Sequence, residues 1–196
     1  MTLIKKHEVH DYHDFVNENE LEGMCLSMSV SWILDRMDVG NNYIAPPRGT
    51  QSLKGVGLYD TVFDMVFSDR DIVERLEWIG KQLTYKRPGA KYKVKAARYD
   101  SGKFKNFECV GKTLNSYLST GGGDVFCILV FRTPGGICHG VALFQCSITK
   151  ECYFYDPDNG VYQWIRTGMG INHEIQEVLS KDLTEKGVLT EGVFVR

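Results

Sequence analysis

The stretch Gly23-Met24-Cys25-Leu26-Ser27-Met28-Ser29-Val30-Ser31-Trp32-Ile33-Leu34 decides how the rest of the chain is read. Apolar residues recur at Leu26, Val30, Ile33, Leu34 and Met37, which is helical spacing. Gly23 breaks the chain just before them, and Val39-Gly40-Asn41-Asn42 stops the pattern. The spacing predicts a buried helix from about Cys25 to about Asp38. A thiol in its first turn meets the positive end of the helix dipole and backbone N–H groups with no intrahelical acceptor. Both favour the thiolate, which is the nucleophilic form. A single cysteine in an apolar pattern is more often a small buried hydrophobe, so the meaning of Cys25 depends on what lies far downstream.

The second half of the chain is strand-rich. Val125-Phe126-Cys127-Ile128-Leu129-Val130-Phe131 is continuously apolar, as expected of a central strand buried on both faces. Thr133-Pro134-Gly135-Gly136 is a turn signal. Residues 138–146 and 151–155 read as the next two strands. Asp156-Pro157-Asp158-Asn159-Gly160 is a strong turn, from which residues 161–165 return as a strand. A short terminal strand is expected over 192–195. Helices are expected over 59–65, 72–83, 112–119 and 173–179, the second with a wide apolar stripe of Ile72, Val73, Leu76, Trp78, Ile79 and Leu83. Residues 40–57 are loop-like, and their glycines do not follow a strand as a phosphate-binding loop requires. The expected class is α+β, one helix packed on a mostly antiparallel sheet.

That topology aligns three groups. His139 opens one strand and Asp156 ends the next, 17 residues later. If the two strands are antiparallel neighbours, these ends lie side by side. The helix packs on the sheet, so its N-terminus can face His139. An imidazole beside a thiol takes its proton and forms a thiolate–imidazolium pair. A carboxylate on the other ring nitrogen fixes tautomer and orientation. Each residue alone has a plainer reading: His139 as a satisfied core histidine, Asp156 as a turn initiator before Pro157. The joint pattern is the specific signal. Asp158 is the rival acid, expected to point from the turn into solvent. His173 is the rival base, with no acid at a telling spacing.

The three blocks, Gly23 to Ile33, His139-Gly140-Val141-Ala142-Leu143 and Phe154-Tyr155-Asp156-Pro157-Asp158-Asn159-Gly160, resemble those of the YopT/AvrPphB-type cysteine proteases, papain-like virulence effectors that bacteria deliver into host cells. The likeness covers the blocks and their order, and nothing between them. It implies a papain-like fold whose central helix carries the nucleophile Cys25, with His139 as general base and acid and Asp156 as orienting acid. Papain-like enzymes also use an upstream amide to bind the oxyanion; Asn19 is the candidate, acting with the Cys25 backbone N–H. One departure stands out. Some members cut prenylated small GTPases beside a basic tail, which suits an acidic groove, whereas this chain carries a basic stretch. Some relatives also process themselves, and the short segment before Cys25 offers little to remove.

The basic stretch spans residues 81–105. It holds nine lysines and arginines against one acid, Asp100, with Tyr85, Tyr92, Tyr99 and Phe104 interleaved. Such a mixture suits an anionic membrane surface or nucleic acid. The alternation from Lys91 to Ala96 also reads as an edge strand guarded by lysines, and this is the favoured reading. Contact with an anionic membrane through this stretch is retained; nucleic acid is not expected as a partner.

At 196 residues the chain is expected to be a single domain and a monomer, with a polar terminal segment over residues 1–20. A net charge of −2 names no partner for the molecule as a whole. The six cysteines, at 25, 109, 127, 138, 146 and 152, form no CxxC pair. Cys127, Cys138, Cys146 and Cys152 lie in apolar strands and read as reduced core thiols, pointing to a reducing place of action. His7, His10 and His13 recur at three-residue spacing without a completed ligand set, so no metal and no cofactor is expected. The N-terminus lacks the apolar core of a signal peptide. The resulting expectation is secretion by a signal-independent system and action in the host cytoplasm on a protein substrate. The leading function is a thiol protease. Glutamine deamidation, transglutamination and cell-wall amide hydrolysis use the same triad and remain alternatives, as does a non-enzymatic module binding lipid or nucleic acid.

Overall fold

The computed structural model describes residues 2–6, 25–39, 72–97, 123–133, 138–165, 175, 178 and 189–196. Seven strands and two helices lie within them: β1 (Thr2–Lys6), α1 (Cys25–Val39), α2 (Ile72–Lys86), β2 (Tyr92–Ala97), β3 (Val125–Arg132), β4 (Cys138–Gln145), β5 (Glu151–Asp156), β6 (Gly160–Ile165) and β7 (Leu189–Val195). The strands form one sheet in the order β1-β6-β5-β4-β3-β7-β2, and every neighbouring pair is antiparallel.

Strand β3 sits near the middle, between β4 and β7. Its side chains alternate between two apolar layers. Phe126, Ile128 and Val130 join the layer formed with the helices, where Met28, Val30, Trp32, Ile33, Leu76, Ile79 and Leu83 are buried. Cys127, Leu129 and Phe131 join Val141, Leu143, Phe154 and Ile175 on the opposite face. Burial on both faces is why this stretch is continuously apolar rather than alternating.

Both described helices start where the periodicity placed them, and α2 continues to Lys86, past the expected end at Leu83. Among the described strands β2 lies at a sheet edge, paired with β7, with Lys91 and Lys93 exposed. At the other edge, Thr2–Lys6 pair with β6, a strand within the segment read as a polar terminus. Strand β7 begins at Leu189, three residues before the expected Gly192. The expected helices over 59–65 and 112–119, and all but Ile175 and Val178 of the one over 173–179, lie outside the described residues, as do the loop over 40–57 and His7, His10 and His13. Among the described residues, no helix is long and apolar enough to cross a membrane.

Candidate active site

Helix α1 packs across β4, and one missing side chain sets how closely. A Cβ on Gly140 would lie 2.8 Å from the Leu26 Cα and 2.9 Å from its backbone nitrogen, inside any real carbon contact. Glycine lets the first turn of α1 rest directly on the strand. Two hydrogen bonds fix the seat: the Ser29 hydroxyl donates to the Gly140 carbonyl at 3.0 Å, and the Gly140 N–H donates to the Cys25 Sγ at 3.2 Å. The same sulfur lies 3.8 Å from the Cys138 carbonyl oxygen. Further along the helix, Trp32 stacks on Tyr155 of β5 with ring centroids 5.5 Å apart. The sequence pointed to the helix and its cysteine; the Ser29 and Gly140 contacts are tertiary and leave no local signal.

His139 precedes Gly140 on β4 and is 7% exposed. Its Nε2 lies 3.0 Å from Asp156 Oδ1. Strands β4 and β5 are antiparallel neighbours, so their ends meet as expected. Asp156 is 2% exposed and is itself held: its Oδ1 accepts from the Asp158 N–H at 3.0 Å, and its Oδ2 from the Asn159 side-chain amide at 2.7 Å. Asn159 is a contributor that the sequence reading missed. Its position three residues into an aspartate-initiated turn is the signal that it could have used.

The electrostatics follow from this geometry. Burial opposes charge on His139, but hydrogen bonds to Asp156 and Cys25, with the charges of both, prevail and push its pKa up from 6.5 to about 10. Burial likewise opposes the Asp156 carboxylate, yet His139, Asn159 and the Asp158 N–H together hold its pKa below the ordinary value. The imidazole is therefore protonated at neutral pH, with both nitrogens donating. Nε2 is taken by Asp156, which leaves Nδ1 as the remaining donor.

Two expectations need correction. Cys138 is exposed at the start of β4, not a core thiol; Cys127, Cys146 and Cys152 are buried as expected. Although the residue as a whole is exposed, desolvation of its thiol first and the neighbouring Cys25 second raise the Cys138 pKa to about 11. Asp158 is half exposed but does not simply face solvent: its Oδ2 lies 3.7 Å from His139 Nδ1. The turn that lets Asp158 N–H bond Asp156 curls the following carboxylate back towards the ring. His139, Asp156 and Asp158 each offer one ligand atom within 4.8 Å of the others, a set a cation could share. The 3.0 Å Nε2–Oδ1 contact is also the distance of a proton shared between ring and carboxylate. Asn19 and His173 lie outside the described residues.

The fold is similar to that of the Pseudomonas avirulence protein AvrPphB. The TM-score is 0.59 at 15% sequence identity, over 97% of this chain and 96% of the other. No protein-family profile matches the sequence, and no curated protein does. The likeness establishes an α+β, papain-like architecture: a helix bearing Cys25 on an antiparallel sheet bearing His139 and Asp156.

Proposed function

We propose that the protein is a papain-like thiol hydrolase that cleaves a host protein after delivery by a bacterium. The observation that carries this reading is the His139 ring: nearly buried, paired to Asp156 at 3.0 Å, and raised in pKa to about 10 by Asp156 and Cys25 against the opposing effect of burial. A histidine serving only to fill a core has no need of a buried carboxylate on one nitrogen and a nearby thiol that raises its pKa. The papain-like architecture and the motif resemblance supply the protease and effector parts of the reading.

In the proposed cycle the Cys25 thiolate attacks the substrate carbonyl and forms a tetrahedral oxyanion. The Cys25 backbone N–H, at the start of α1, and the Asn19 amide stabilise it. Losing one such donor typically costs about 100- to 1,000-fold in rate. The imidazolium of His139 gives its Nδ1 proton to the leaving amine, leaving an acyl-enzyme on Cys25. Neutral His139 then takes a proton from water, whose oxygen attacks the thioester carbon and releases the carboxylic acid and the thiolate. Throughout, Asp156 keeps the ring oriented and stabilises its charged form.

The test compares wild type with Cys25→Ala on eukaryotic cell lysate proteins. The expected result is new protein N-termini that arise only with the wild type. Proteins left whole but about one mass unit heavier would replace proteolysis by deamidation. No difference between the two enzymes would remove Cys25 as nucleophile.

A further inference from the structure

Cys25 has a second cysteine beside it. Its sulfur lies 3.8 Å from the Cys138 carbonyl oxygen and 3.2 Å from the Gly140 nitrogen, so it rests against the backbone at the start of β4. A residue's Cα is about 2.4 Å from its own carbonyl oxygen, which puts the Cys25 sulfur within about 6 Å of the Cys138 Cα.

Strand geometry sends the Cys138 thiol the same way. Alternate residues of a strand project from one face. The face on which Gly140 lacks a side chain is the face that α1 covers: a Cβ there would meet Leu26 and lie 3.2 Å from the Cys25 carbonyl carbon. Cys138, two residues earlier, projects from that same face, where the helix begins with Cys25. The two thiols also act on each other, because Cys25 is second only to desolvation in raising the Cys138 pKa. The partners of a disulfide have Cα atoms about 4.4–6.8 Å apart, a span in keeping with these contacts.

The two differ as an attacking and a resolving thiol do. Cys25 is part exposed in the first turn of α1, open to a small oxidant. Cys138 is exposed, and its raised pKa keeps it protonated at neutral pH, so it reacts slowly by itself. Cys127, Cys146 and Cys152 are buried. Among the described cysteines, Cys138 is the open thiol next to Cys25.

We infer that Cys25 and Cys138 form a reversible disulfide that switches the enzyme off under peroxide and protects Cys25 from irreversible oxidation. The switch rests on the proposed role of Cys25 as nucleophile and adds regulation to it. The Cys25 thiolate attacks one oxygen of hydrogen peroxide, forming a sulfenic acid and releasing hydroxide. The Cys138 thiol loses its proton, and its sulfur attacks that of Cys25, forming the S–S bond and displacing a second hydroxide. The protons given up by the two thiols turn both hydroxides into water. Two thiols and one peroxide thus give one disulfide and two waters, the sulfurs losing the two electrons that peroxide gains. A reducing thiol reverses the step: its thiolate attacks the exposed Cys138 sulfur and frees Cys25. The enzyme is silent in an oxidising medium and active in a reducing one.

Peroxide treatment followed by non-reducing peptide mapping tests it. The wild type should yield the Cys25 and Cys138 peptides joined, about two mass units lighter than the two reduced peptides together. Its cleavage of lysate proteins should be lost and should return in dithiothreitol. Cys138→Ser should cleave like the wild type when kept reduced, because the Cys138 carbonyl beside the sulfur remains. After the same peroxide it should carry sulfinic acid on Cys25 and stay inactive in dithiothreitol. Absence of the joined peptides, a bond from Cys25 to any other cysteine, or recovery of Cys138→Ser equal to that of the wild type overturns the proposal. Mapping reads the bond without a substrate, so failure of the reduced wild type to cleave counts against the proposed hydrolysis and not against the bond.

Discussion

Asp156 and Asp158 stand two residues apart and reach different nitrogens of one imidazole, at 3.0 and 3.7 Å. Their surroundings give them different weights. The Asp156 side chain is 2% exposed and that of Asp158 is 47% exposed, so water screens the second charge far more than the first. Asp156→Asn should lower kcat/KM by about 100- to 10,000-fold, within the range for loss of positioned acid–base catalysis. It should also move the His139 limb of the pH–rate profile down from about pH 10. Asp158→Asn should leave that limb nearly in place and cost less than about tenfold in rate. Kinetics of both variants across pH on one cleavable substrate separate the roles. The sequence made Asp156 legible through its place at a strand end. It hid Asp158, because turn propensity places that residue in solvent while the hydrogen bond of its own N–H to Asp156 draws the carboxylate back to the ring.

At the scale of elements, the site depends on how α1 lies against β4. Gly140→Ala would put a methyl carbon 2.8 Å from the Leu26 Cα, against backbone that has no flexible end to yield. The helix must lift, lengthening the Ser29 and Gly140 hydrogen bonds and moving the sulfur from His139. The expected cost is about 1–3 kcal/mol of stability, read by denaturant unfolding, with a larger loss in kcat than the stability change alone explains. A merely structural glycine would lose stability and keep kcat. Elements with strong internal periodicity were legible: α1, α2 and the apolar strands β3 to β5. Strand β7 was cut short in the reading because Glu191 is a charged residue in a strand. In the fold Glu191 is buried and receives Arg132 at 2.9 Å, a partner far off in sequence. Strand β1 was missed because its five residues gain meaning only from pairing with β6. Cys138 was misjudged because an apolar run does not reveal which of its residues is the last, open rung.

For the molecule as a whole, the His139–Asp156 pair links stability to pH in both directions. The His139 pKa is raised by folding, so its contribution is complete below the unfolded value of 6.5 and disappears as pH rises through about 10. The Asp156 pKa is lowered, so its contribution is complete above 3.8 and is lost as pH falls through the folded value. The stability difference between wild type and Asp156→Asn should therefore be greatest between about pH 4 and 6.5 and shrink on either side. Melting temperatures across pH measure it, and a flat difference would deny the pairing.

The central claim is that Cys25, alone among the described cysteines, is poised beside a protonated imidazole. Labelling with an irreversible thiol-protease inhibitor at pH 6, followed by peptide mapping, measures this most directly. Cys138 is exposed and nearby, a built-in control. The account predicts modification at Cys25 alone, faster than a free thiol and lost in His139→Ala. Modification of Cys138 instead, or of Cys25 at the rate of a free thiol, would contradict it.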